Sequence, residues 1–175
     1  MAKGNMTTGG TAATPKDMVA MAMKERETLA KEIEGMKQSA ERDSKLAELY
    51  LLDIEIRHRK DNAIEAESLL KNATHEVRNR VSDINNSLME NDIARETLNG
   101  LSRKASKEQD DLRDKLVDLR FEAKGKDTDE IVRMNRRIKY LSDKMTMYQN
   151  QIRDLIKLSG ELRSEKAEIL YKAKV

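Results

Sequence analysis

The sequence predicts an all-α protein: an elongated coiled coil of long helices, with a disordered N-terminal tail and one break or register slip near residues 124–128. Three observations carry this. Apolar residues recur at alternating steps of three and four over most of the chain, the spacing of one helix face. Of the 175 residues 38% are charged and 3% aromatic, a mix too poor in large apolar side chains for a globular core and suited to solvent-bathed helices. Pro occurs once, at position 15, so nothing downstream need break a helix.

Residues 1–14, rich in Gly and Thr without an apolar period, read as the tail. In Thr14-Pro15-Lys16-Asp17 the Thr hydroxyl can cap the helix, Pro15 fits the first turn, and Asp17 faces the positive end of the helix dipole. One long coiled-coil helix is expected from there over residues 15–124. Its first stripe, Met18, Ala22, Leu29, Ile33, Met36 and Ala40, is loose and is weakened by Gly35. The stripe tightens from Leu49 through Leu52, Ile56 and Leu70 to Val77. Two successive steps of four, Ala73 to Val77 to Val81, then make a stutter, which unwinds a left-handed supercoil without ending the helix.

Beyond the stutter one core column holds Val77, Ile84, Asn91, Leu98, Ala105, Leu112 and Leu119. The other holds Val81, Leu88, Arg95, Ser102, Gln109, Leu116 and Ala123. Asn91, Arg95, Ser102 and Gln109 thus form a weak polar seam over residues 91–109, and two parallel copies in register would set Arg95 against Arg95. Polar core residues fix partner and register at a cost in stability. These four are therefore expected to select a different chain that supplies carboxylates or amides, making a hetero-oligomer a better fit than a homodimer. A locally solvated patch is the plainer reading.

The stretch FEAKGKDTDEIV, residues 121–132, carries both a stop and a start signal. Gly125 can take the left-handed conformation that ends a helix, and Asp127 with Glu130 resembles a capping box. A second coiled-coil helix follows over residues 129–175, with Ile131, Ile138, Met145 and Ile152 alternating with Met134, Leu141, Tyr148, Leu155, Leu162 and Ile169, and fading at Ser159 and Lys166. Its register misses the upstream one by a single residue. Residues 125–128 are then either a tight hairpin with arms of about 70 Å or a hinge within a rod approaching about 240 Å. The shortness of the loop favours the rod.

The chain has no Cys, hence no disulfide, thiolate metal site or thiol nucleophile. His58 and His75 lack a second ligand one turn away on an apolar face, and paired carboxylates such as Asp110-Asp111 have no pocket to desolvate them. No phosphate loop, nucleophile elbow or metalloprotease helix occurs. No catalytic residue, cofactor, metal or small-molecule ligand is expected. No stretch is apolar enough to span a membrane, and the start MAKGNMTT lacks a signal-peptide core, so a cytoplasmic, cytoskeletal setting is expected.

Two basic clusters remain: Arg57, Arg59 and Lys60 around His58, and Arg133, Arg136 and Arg137 within RMNRRIK. The second precedes a zipper-like series, yet Ile131 and Met134 already occupy its seam, so it cannot fork into a DNA groove as a basic zipper does. Contact with an acidic protein surface such as tubulin is the better use. A SNARE-like or tethering role is a further alternative, since Gln109 and Arg95 sit in core layers.

The segment LSRKASKEQDDLRDKLVDL, with Ser102-Arg103, Gln109 and Asp111-Leu112-Arg113, resembles the central part of the axonemal coiled-coil domain-containing protein 153 family, a subunit of the nexin-dynein regulatory complex. Asp53 to Lys60 is loosely similar too. The resemblance covers about a third of the chain and implies a non-enzymatic subunit of a motile cilium or flagellum, bound beside other long coils on the doublet microtubule. The short Gly/Thr tail and the Gly125 break depart from the family pattern.

Overall fold

In the computed structural model the described residues, 15–124, 126 and 128–173, form four α-helices and no strand. They run α1 (Pro15–Glu34), α2 (Ala40–Ser68), α3 (His75–Glu122) and α4 (Asp129–Lys172), and the chain divides into two units, Met1–Lys71 and Asn72–Val175. The all-α expectation holds. The single helix expected over residues 15–124 is instead three helices. The expected tail, residues 1–14, lies outside the described residues, as do Gly125, Asp127 and the last two residues.

In the first unit α1 opens at Pro15 and stops at Glu34, where the Met36 amide donates to the Ile33 carbonyl at 3.1 Å in a tighter turn. The next helix is started by Ser39, whose hydroxyl accepts from the Arg42 amide at 3.2 Å, and Glu41 and Asp43 face the positive end of its dipole. Gly35, the weakest helix former here, therefore stands where the helix gives way rather than merely thinning its stripe. The two helices return antiparallel. Glu32 accepts an ion pair from Lys45 at 2.8 Å near the turn, Arg26 reaches Asp53 midway, and Lys16 meets Glu67 at 2.7 Å at the open end. Ala22, Leu52 and Ile56 form the buried cluster between them, and Leu29 and Ile33 are buried as well.

The stutter expected at Val77 is a helix start. After Ser68 the Leu69 and Leu70 amides both donate to the Glu65 carbonyl, closing α2. Thr74 then caps α3: its hydroxyl accepts from the Val77 amide at 3.3 Å, with Glu76 in the first turn. Two steps of four mark this place because the stripe on either side belongs to two different helices.

In the second unit α3 and α4 form a long antiparallel hairpin, so the rod favoured from loop length is corrected. The reversal is built from three devices. The Ala123 amide donates to the Leu119 carbonyl at 2.9 Å, Lys124 takes a left-handed backbone with φ 49°, and the Thr128 hydroxyl accepts from the Ile131 amide at 3.4 Å. The restart is thus capped by Thr128, one residue beyond the expected Asp127, and Asp129 and Glu130 occupy the first turn. Antiparallel arms have independent registers. The one-residue mismatch across residues 124–128 is the signature of two arms, not of an insertion in one helix.

From Leu49 to Ile169 the residues expected in the coiled-coil core are buried or half-buried, whereas Met18 and Ala40 of the loose first stripe are exposed. Val81 and Ile131 are 0% exposed, and Leu52, Ile56, Leu70, Ile84, Leu88, Leu116 and Leu141 are also buried. Leu49, Val77, Leu98, Leu112, Leu119, Met134, Ile138, Met145, Tyr148, Ile152, Leu155, Leu162 and Ile169 are half-buried. This gradation follows from two helices sharing one seam: a partner covers one side of each core residue and leaves its flank open.

Candidate interaction surface

The polar seam lies on α3, and α4 answers it. The Asn91 side-chain amide donates to the Ser159 hydroxyl at 3.2 Å, with both residues buried. Nearer the turn, Gln109 Nε2 donates to the Ser142 hydroxyl at 2.6 Å and to the Ile138 carbonyl at 3.1 Å. Toward the open end, Lys166 donates to Asn85 Oδ1 at 2.7 Å, and Arg80 Nε reaches Glu165 at 2.8 Å. Asn91 and Gln109 thus find partners within this chain, and these are hydroxyls and a backbone carbonyl of α4 rather than the carboxylates or amides expected from another chain.

Arg95 is different. Its Nη1 donates to Asp92 Oδ1 on the preceding turn at 2.8 Å, while its Nε is buried without a hydrogen-bond partner. A buried donor left unpaired costs about 1–3 kcal/mol. Arg95 is therefore the weak point of the seam, whereas Ser102 is half-buried.

The basic clusters are partly neutralised along the helices that carry them. Arg59 pairs with Glu55 on its own helix at 2.6 Å, while Arg57 and Lys60 are exposed. Arg133 and Arg136 are exposed, and Arg137 Nε donates to Glu108 on α3 at 2.7 Å. That contact holds the Arg137 guanidinium above its ordinary range and the Glu108 carboxyl below its own, in each case chiefly through the hydrogen bond. Because Ile131 is buried and Met134 and Ile138 are half-buried against α3, the basic run does not leave the hairpin.

Sequence reasoning did not single out Asn85, Ser142 or Tyr140, and it named Ser159 and Lys166 only as the places where the α4 heptads fade; these two face Asn91 and Asn85. Tyr140 stands between two cations, with the Arg137 guanidinium 5.2 Å and the Lys144 ammonium 5.6 Å from its ring centre.

Among the described residues no group of three or more His, Cys, Asp or Glu side chains is placed to hold a metal ion, and no helix is long and apolar enough to cross a membrane. What the units do present is a series of open helix flanks. On α3 and α4, Leu101, Val117, Phe121, Val132, Tyr140, Met147, Ile156 and Leu158 are exposed. On α1 and α2, so are Met18, Met21, Met23, Tyr50 and Ile64, as is Leu69 just past the end of α2. No protein-family model, curated protein or solved structure matches this chain.

Proposed function

We propose that the protein is a structural or scaffolding subunit that works by associating with other helical chains along the open flanks of its two helix pairs. The observation that carries this is the incomplete coverage of both seams. Among the described residues of the first unit the buried apolar side chains are Ala22, Leu29, Ile33, Leu52, Ile56 and Leu70, little apolar surface for a unit of this size to stand on alone. Large apolar side chains stay exposed on every helix, and where such side chains adjoin one another they supply an association surface.

The resemblance of Leu101 to Leu119 to the axonemal family names a setting for such a subunit: a cytoskeletal assembly, in a cilium or flagellum, beside other long coils. The exposed cations Arg57, Lys60, Arg133 and Arg136 then serve as salt-sensitive contacts with acidic surfaces such as tubulin.

The test is cross-linking mass spectrometry in native extract. The expected result is recurrent links from both units to other long-helical chains, and enrichment of axonemal proteins would support the setting. A chain linked only to itself would overturn the subunit reading.

A further inference from the structure

Along one side of the α3–α4 hairpin runs a groove that the hairpin does not itself fill. It is edged on α3 by Leu101 and Lys104 and on α4 by Arg137, Tyr140, Lys144 and Tyr148. Leu101 is 41% and Tyr140 48% exposed, so an apolar and aromatic floor faces water. The rim is positive. Three cations, Lys104, Arg137 and Lys144, line it against one carboxylate, Glu108, which already holds Arg137. Arg137 and Lys144 also flank the Tyr140 ring, which keeps their charge at the apolar surface.

An occupant must therefore bring apolar side chains for the floor and carboxylates for the rim. A helix does both while satisfying its own backbone hydrogen bonds, and the groove between two antiparallel helices is the seat that a third helix takes. A second copy docked on the same groove by two-fold symmetry would set these cations against one another, which disfavours it. We infer that this groove receives an acidic amphipathic helix from a partner protein. The inference rests on the structural-subunit reading and names the chemistry of its partner.

The experiment titrates the full-length protein with a fluorescent synthetic peptide of about four heptads, with Leu at both core positions and Glu at the flanking ones, and with the same peptide carrying Lys for Glu. The Glu peptide is expected to bind saturably, more weakly as salt rises, and the Lys peptide not to bind. Lys104→Glu with Lys144→Glu should weaken the Glu peptide about tenfold or more, and Lys→Gln at both positions should weaken it less. Both lysines lie off the buried core, and an unchanged circular dichroism melt will show that the fold survives.

Equal binding of the two peptides, or a Glu peptide indifferent to the charge reversal, overturns the inference. So does a concentration-dependent dimer that the reversal abolishes, which would make a second copy the occupant, and so does duplex DNA competing for the same residues. Cross-linking in extract separates this from the broader reading. Partners captured equally by the wild type and the reversed variant sink the groove alone, whereas a wild-type chain with no partners sinks the subunit reading itself.

Discussion

Asn91 and Ser159 meet across the α3–α4 seam, amide to hydroxyl at 3.2 Å, with 8% and 1% of their surfaces exposed. The pair specifies register because sliding either arm by a turn would bury both groups without a partner. Asn91→Leu should lower stability by about 1–3 kcal/mol by stranding the Ser159 hydroxyl. Asn91→Leu with Ser159→Ala should recover most of that loss. Gln109→Leu should cost less, since Ser142 is half-buried and can turn to water. Urea denaturation of the four proteins checks the order; equal losses for Asn91→Leu and the double variant would sink the pairing.

How far the fold could be read in advance is shown by these same residues. Periodicity picked out apolar positions that are buried or half-buried from Leu49 onward, because burying one stripe is what a helix of this composition must do, but it missed the buried Asn85. It also found Asn91 and Gln109 at the seam and Ser159 and Lys166 at the fade of the second series. What it could not supply was that the two sets face each other, since a heptad pattern reads the same in a rod and in a hairpin. The breaks at residues 35–39 and 69–74 were missed for another reason. Ser39 and Thr74 are polar residues beside an apolar stripe, and only their capping hydrogen bonds distinguish them from ordinary solvent-facing positions.

The α3–α4 reversal depends on Lys124 and Thr128. A left-handed Lys is disfavoured by its Cβ, so Lys124→Gly should stabilise the second unit by about 1 kcal/mol. Thr128→Ala removes the acceptor for the Ile131 amide and should cost about 1 kcal/mol. Thermal melts of the two variants should move in opposite directions. Movement in the same direction would contradict the turn.

Acid should loosen the arms at Glu108. Its carboxyl lies below the ordinary value of 4.5 because it accepts from Arg137. A depressed folded value means that the contribution is present above the unfolded value and lost as pH falls through the folded one. Titration of the Glu108 carboxyl carbon by NMR should give a midpoint below 4.5, rising toward that value in Arg137→Gln. An unchanged midpoint would show that the ion pair does not form in solution.

Gly100 and Gly160 lie inside α3 and α4, and a Cβ built at either meets nothing within 4 Å. Open space removes any steric reason for glycine, so each Gly→Ala change should stabilise the hairpin by about 1 kcal/mol. A raised melting temperature in both variants is the expected result, and a fall in either would reveal a close approach at that face.

The antiparallel α3–α4 hairpin is the central claim, and a single distance tests it. The chain contains no Cys, so Asn86→Cys and Ser164→Cys, at exposed positions on α3 and α4, can be spin-labelled without background. Pulsed electron resonance, with the labelled protein diluted in unlabelled chain, reads the separation within one molecule. Helix axes about 8–10 Å apart place the two labels within about 30 Å, and this is the expected result. A separation beyond about 100 Å, as one continuous helix requires by its rise per residue, would contradict the hairpin and everything built on it.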